Sequence, residues 1–298
     1  MTTGPQEPPN DWVPAESVAP PAGPPAETSR AGRNLPAAIA VGVLLAVIAL
    51  ASLYWHIELF VLLVAVAILI GTWELSGAMA GKGVTLSRIP LLIGAFLLPV
   101  LGFFYGPEQL LMGFGLVFLF TLVWRLLRHG VDGFVRDATA SGFVLTYAPL
   151  MGGFAALIAA MPDGADRVVT FIVLSVASDI GGYAAGVLFG KHPMAPKISP
   201  KKSWEGFAGS VGLQVLLGSL LFAYLLESDW WKGAIVGAIM AATATLGDFI
   251  ESAVKRDLGI KDMSHLLPGH GGLMDRLDSI IPNTVVAYTL FALTLGLT

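Results

Sequence analysis

The chain has 298 residues, 55% of them apolar and only 13% charged, with a net charge of −4 and a mean hydropathy of +0.75. Soluble domains carry about 25% charged residues, so this composition excludes an ordinary soluble enzyme and selects an integral membrane protein. Cysteine is absent, which rules out disulfides, a thiolate nucleophile and any Cys-ligated zinc or iron–sulfur centre.

Residues 1–34 are a different material. Eight of the first 25 are proline, set among Ala, Glu, Ser and Thr. Such a segment buries too little apolar surface to offset the entropy of ordering, so it is expected to be a disordered tether on the cytoplasmic side. It does not read as a signal peptide, because the first apolar run begins only at Leu35 after an acidic, proline-rich stretch.

From Leu35 onward, nine segments approach the roughly 20 apolar residues that a membrane helix needs. They cover residues 36–55, 57–80, 89–105, 108–127, 139–161, 168–190, 205–226, 231–254 and 280–297. Lys and Arg alternate strongly between the connecting loops. One side receives Arg30, Arg33, Lys82, Arg88, Arg125, Arg128, Arg136, Lys191, Lys197, Lys201, Lys202, Lys255, Arg256, Lys261 and Arg276, and the other only Arg167 and Lys232. The positive-inside rule then predicts an all-α polytopic protein of about nine transmembrane helices, N-terminus cytoplasmic and C-terminus outside. Its expected home is the plasma (inner) membrane.

The first four spans are almost free of polar groups, so 35–138 reads as a transmembrane scaffold and oligomer surface, with a homodimer left open. Glu74 in the second span reads as structural. Residues 139–298 read as the catalytic half. There Asp179 interrupts an apolar run, and an ionisable residue inside a span should face a protein interior or a wet cavity and have a partner. Glycines 181, 182, 186 and 190 suit either a close-packed helix or a cavity wall.

Two basic cytoplasmic loops stand out. The first, 191–204, holds three prolines that prevent a regular helix, four lysines, His192 and Ser199. Alone it could simply touch anionic headgroups. The second, 255–279, follows a helix end on which Asp248, Glu251, Ser252 and Lys255 are spaced i, i+3, i+4 and i+7, stacking them on one face. The turn Pro268-Gly269-His270-Gly271-Gly272 then leads to Asp275-Arg276 and Asp278. Carboxylates interleaved with cations suit a divalent metal held together with phosphates. A lipid-embedded bundle bearing such a cluster fits metal-assisted phosphoryl or nucleotidyl transfer to a lipid.

The string Ser252-x-x-Lys255-Arg256-x4-Lys261-Asp262, followed by Pro268-Gly269-His270-Gly271-Gly272-x-x-Asp275-Arg276-x-Asp278, resembles the signature of the phosphatidate cytidylyltransferases (CDP-diacylglycerol synthases). The likeness extends upstream through Gly247-Asp248, residues 197–206 and Asp179, about 130 C-terminal residues in all. Met263-Ser264-His265 depart from it where a small residue is expected early in the turn. The resemblance implies transfer of a cytidylyl group from CTP to phosphatidate, giving CDP-diacylglycerol and pyrophosphate. It implies Mg2+ on Asp248 and Asp275, with Asp262 and Asp278 as further candidate ligands and a second metal ion left open. Lys255 and Arg256 join that pair as catalytic candidates. Lys201, Lys202, Ser203, Glu205, Ser252, Lys261, His270, Arg276 and Asp179 are the expected substrate-binding residues. CTP, phosphatidate and membrane lipids are the expected partners, and nucleic acid is not. A CTP-dependent lipid-alcohol kinase, which yields CDP, is the nearest alternative, and a membrane transporter a more distant one.

Overall fold

The computed structural model describes residues 47–264, 266 and 271–296. The proline-rich tail, the start of the first expected span, and Pro268, Gly269 and His270 lie outside the described residues. Helix α1 is described over residues 47–55. It is followed by α2 (Ile57–Ala80), α3 (Arg88–Tyr105), α4 (Pro107–His129) and α5 (Phe134–Leu145). A π-helical segment (Thr146–Leu150) joins α5 to α6 (Met151–Ala159), and α7 (Gly164–Phe189) follows. A hairpin of β1 (Pro193–Ala195) and β2 (Ser199–Ser203) precedes α8 (Trp204–Tyr224) and α9 (Trp230–Asp257), and α10 (Met274–Leu277) and α11 (Ile280–Leu295) close the chain.

Among the described residues, eight helical spans are long and apolar enough to cross a membrane, α5–α6 and α10–α11 each counting as one. These are runs of Leu, Ile, Val, Ala and Phe that are apolar around most of their circumference, the pattern of a membrane span rather than of a surface helix. The protein is therefore an all-α polytopic membrane protein. A short antiparallel hairpin departs from this pattern, and it occupies the loop whose prolines forbid a helix. A second difference concerns α9, which continues to Asp257. Lys255 rides the last turn of this helix, as its spacing from Asp248 and Glu251 predicts, and Arg256, expected in the loop, rides it too, where cations favour the negative end of the helix dipole.

Helices α7, α8 and α9 pack against one another through backbone. A Cβ added at Gly181 would sit 2.6 Å from the Gly209 carbonyl oxygen, and one at Gly218 would sit 2.3 Å from that of Gly233. Only glycine allows this approach, and in lipid, where helices gain little from the hydrophobic effect, such close packing is what holds them together. Ser210 reinforces the α7–α8 seam by donating to the Ser178 carbonyl at 2.6 Å. Helices α2–α6 build a second layer around Leu91, Leu98, Leu110 and Leu145, all fully buried. Its α4–α5 end is pinned by Arg125 and Asp137, a buried ion pair at 2.6 Å. Asp137 also accepts from the Thr85 backbone N–H at 3.1 Å, tying the α2–α3 loop to the same point. At the opposite end, Tyr54 donates to Asp166 at 2.6 Å and Arg167 donates to the Gly296 carbonyl at 2.9 Å.

Candidate active site

The hairpin folds back over the ends of α7 and α9 because Glu205, in the first turn of α8, gathers its base. Glu205 accepts from the Lys191 and His192 backbone N–H groups at 3.1 and 3.2 Å and contacts His192 Nδ1 at 2.5 Å. Ser203 is the N-cap of α8, its hydroxyl accepting from the Gly206 N–H at 3.1 Å. These two residues, expected at substrate, thus shape the hairpin that carries Lys201 and Lys202. Beneath it lies a cleft of about 310 Å3 whose walls include Asp179, Tyr183, Ser199, Lys201, Lys202, Ser203, Phe207, Thr245 and Asp248. Gly182 and Gly186 line the same cleft, so the α7 glycines serve both as packing surface and as cavity wall.

Lys202 forms an ion pair with Asp248 across 46 residues of sequence, and its ammonium lies 5.1 Å from the centre of the Phe249 ring. Both partners remain partly exposed, at 29% and 23%, so an entering phosphate can compete for the lysine and release the carboxylate. Asp179 lies within electrostatic reach of Lys202, Arg276 and Asp278. The ionisable residue inside the seventh helix therefore faces a polar cleft with cationic partners nearby.

A second group of charges lies where α9 ends and α10 begins. Lys255 bridges Glu251 at 2.7 Å and Asp275 at 2.6 Å. The i, i+4 spacing read from the sequence brings Glu251 and Lys255 together on one face of α9. Asp275 is only 5% exposed, and its carboxylate accepts from the backbone N–H groups of Met263 at 2.9 Å and Gly272 at 2.7 Å. Gly271, at φ +79°, adopts a backbone conformation that other residues enter only with strain, and a Cβ there would also crowd Asp275 Oδ2 at 2.9 Å. The Glu251 and Asp278 carboxyls are in contact, and Asp278 is within electrostatic reach of Asp248. A network of neighbouring charges thus runs from Lys202 to Asp275, its Asp248–Asp278 step being one of electrostatic reach and not of contact.

That network is held from below by α2. Glu74, 2% exposed, accepts from the Ser264 hydroxyl at 2.6 Å and from the Leu273 and Met274 backbone N–H groups at 3.0 and 2.7 Å. Its partners stand 190 to 200 residues away in sequence. The carboxylate fixes the turn that delivers Asp275, and a Cβ at Gly272 would come within 2.8 Å of it. The helix on the scaffold side of the expected division therefore supplies a residue to the site.

Arg256, Lys261, Asp262 and Arg276 are exposed around this turn, and Ser252 is half-buried on α9. They flank the network rather than line the cleft. His270 lies outside the described residues. Among the described residues, no three Asp, Glu or His side chains are grouped to hold a metal by themselves. Mg2+, however, commonly takes one or two protein carboxylates together with substrate phosphates and water. Asp248, partly exposed in the cleft and engaged by a displaceable lysine, suits that role. Asp275 already spends its oxygens on two N–H groups and Lys255, so it reaches an ion only by exchanging some of these.

The profile of the cytidylyltransferase family matches residues 36–294, nearly every apolar segment and the whole charged network. The chain belongs to the cytidylyltransferase family. It is 44% identical over 281 residues to the phosphatidate cytidylyltransferase of Mycobacterium leprae (strain TN), covering 89% of this chain and 90% of that one. The phosphatidate cytidylyltransferase of Mycobacterium bovis (strain ATCC BAA-935 / AF2122/97) is 42% identical over 282 residues, covering 91% and 92%. That of Aquifex aeolicus (strain VF5) is 33% identical over 193 residues, covering 62% and 71%. The match spans both halves, whereas the sequence motifs of the cytidylyltransferase family were legible only in the C-terminal one. Glu74 carried one signal that could have found it, an uncompensated acid in an apolar helix. Glu251 was visible on the charged face of α9, but its bridge through Lys255 to Asp275 was not.

Proposed function

We propose that the protein is a phosphatidate cytidylyltransferase. A phosphate oxygen of phosphatidate attacks the α-phosphorus of CTP, the bond from that phosphorus to the β-phosphate bridging oxygen breaks, and pyrophosphate leaves with the electron pair. The product is CDP-diacylglycerol. The observation that carries this reading is the cleft at the ends of the membrane helices, where Lys201 and Lys202 meet Asp179 and Asp248. A substrate with one end in lipid and a phosphate at the membrane surface can reach that position.

The protein's own groups supply positioning and charge. Lys202 takes a phosphate oxygen in exchange for Asp248, and Lys201 neutralises the same anionic cluster. Lys255 and the exposed Arg256 and Arg276 accompany the developing charge on the pyrophosphate side. Asp248, and Asp275 once its bonds exchange, would hold Mg2+ together with the nucleotide, and the ion would supply Lewis-acid stabilisation of the phosphates. Asp262 and Asp278 are the reserve ligands. The concentration of Lys and Arg in alternating loops supports a cytoplasmic site in the plasma membrane, where CTP is available.

The decisive assay uses purified protein in detergent micelles with phosphatidate, CTP and Mg2+. Formation of CDP-diacylglycerol and pyrophosphate is the expected result. Formation of CDP with a phosphorylated lipid would overturn the assignment in favour of a lipid kinase.

A further inference from the structure

Helix α9 carries the cleft carboxylate Asp248, and the segment from Asp275 through α11 carries its acidic neighbours, so the seam between them sets how these groups face one another. Thr243, Gly247 and Glu251 occupy successive turns of α9 along that seam, spaced i, i+4 and i+8. At the cytoplasmic end Glu251 meets the Asp278 carboxyl. One turn deeper, a Cβ added at Gly247 would sit 3.0 Å from both the Asp278 carbonyl oxygen and Pro282 Cγ. Pro282 has no N–H to return to that carbonyl four residues before it, so the oxygen is left to face α9. The third contact, one further turn into the bilayer, is polar.

There Asn283 of α11, fully buried, reaches α9 with both ends of its amide. Nδ2 donates to the Met240 carbonyl at 3.2 Å, and Oδ1 accepts from the Thr243 hydroxyl. The assignment is unambiguous, because a carbonyl can only accept, which turns the NH2 toward Met240 and leaves Oδ1 for a donor. Thr243 has a single hydroxyl proton and could spend it on its own helix, where the Ile239 carbonyl lies at 3.2 Å. Giving it to Asn283 instead satisfies an oxygen that has no water to meet in the bilayer. A buried Asn between helices specifies register more than it stabilises, since sliding or rotating either helix strands its amide.

We infer that Asn283 is a positioning residue, its amide clamped on Met240 and Thr243 so that α9 and α11 hold Asp248, Glu251 and Asp278 in one register. This rests on the proposed reaction and adds to it a device inside the membrane. Neither Asn283 nor Thr243 lines the cleft, so both act only through the carboxylates at the end of the seam. Those carboxylates repel one another, and a fixed register keeps them together while Lys202 exchanges Asp248 for a phosphate.

An interhelical hydrogen bond in lipid weights one register by about threefold, and two by about tenfold. Asn283→Leu removes both and should lower kcat/KM by about tenfold, while Thr243→Val, which removes one and keeps the shape, should lower it by about threefold. Thr243→Ser keeps the hydroxyl and should stay within about 1.5-fold of wild type. The chain has no cysteine, so spin labels at Ile239→Cys and Leu293→Cys, both exposed to lipid, read the α9–α11 spacing by double electron–electron resonance in nanodiscs. The distance distribution should be narrow in the labelled parent and broadened or shifted by Asn283→Leu. An unchanged distribution overturns the inference, as does Asn283→Leu with kcat/KM within about twofold of wild type. Should Asn283→Leu fail to fold, the threonine pair decides, and Thr243→Ser falling as far as Thr243→Val overturns the clamp. Wild-type product analysis keeps the two levels apart. CDP in place of pyrophosphate would overturn the reaction, whereas the distance distributions would still judge the clamp.

Discussion

Glu74→Gln tests whether a membrane helix with no reacting group sets the geometry of the site. The substitution keeps size and shape but leaves one carbonyl oxygen where two carboxylate oxygens stood. In the wild type one oxygen receives the Ser264 hydroxyl and the Leu273 N–H, and the other receives the Met274 N–H. A glutamine oxygen placed toward Ser264 and Leu273 turns the amide NH2 toward Met274, donor against donor. The flipped amide leaves the Leu273 N–H facing a donor, while the Ser264 hydroxyl can rotate to accept from it. At least one buried N–H is then unpaired, costing about 1–3 kcal/mol, and the surviving bonds lose their charge assistance, which makes about 2–4 kcal/mol in all. Spread over the ordering of a turn that carries Asp275, a loss near 3 kcal/mol corresponds to about a hundredfold. The assay is CTP-dependent pyrophosphate release in phosphatidate micelles, with insertion and thermal unfolding measured on the same preparation. We expect kcat/KM to fall by about 30- to 100-fold with the protein still folded. Glu74→Asp, a methylene short of its partners, should fall between. A Glu74→Gln enzyme within about twofold of wild type would refute the reasoning, since the turn would then be held by something else.

Three further expectations follow from the same network. Asp248→Asn and Asp275→Asn should each cost about a hundredfold or more in turnover, on the order of 3 kcal/mol, and the double variant should be hardly worse than either. Near-normal Mg2+-dependent turnover by Asp275→Asn would return the second ligand position to Asp262 or Asp278. Lys201→Ala, on the exposed side of the hairpin, should raise KM for CTP or phosphatidate by about tenfold while membrane insertion is unchanged, and unchanged kinetics would assign this lysine to headgroup contact alone. Because the chain has no cysteine, Asp132→Cys and Pro162→Cys, both exposed, report topology directly. The first should be blocked only by reagents that reach the cytoplasm and the second from outside, and labelling of both from one side would sink the charge-based orientation.

Composition and hydropathy alone determined that this is a helical membrane protein, because a helix crossing lipid must satisfy its backbone internally and be apolar over about 20 residues, both local properties. The C-terminal charged stretch was equally legible. Asp248, Glu251, Ser252 and Lys255 share a face by helical spacing, and the Gly-rich turn announces itself by composition. Other features needed the tertiary structure, because they join residues far apart in the chain. Nothing near Glu74 in sequence says that its carboxylate caps a turn some 200 residues later. The Lys202–Asp248 pair depends on a hairpin that forms only once Glu205 draws its base together. The parts that Ser203 and Glu205 play in the hairpin were hidden for the same reason, since a cap and a clamp are recognised by which N–H groups they meet. Periodicity decides which residues share a face, whereas packing decides which faces meet.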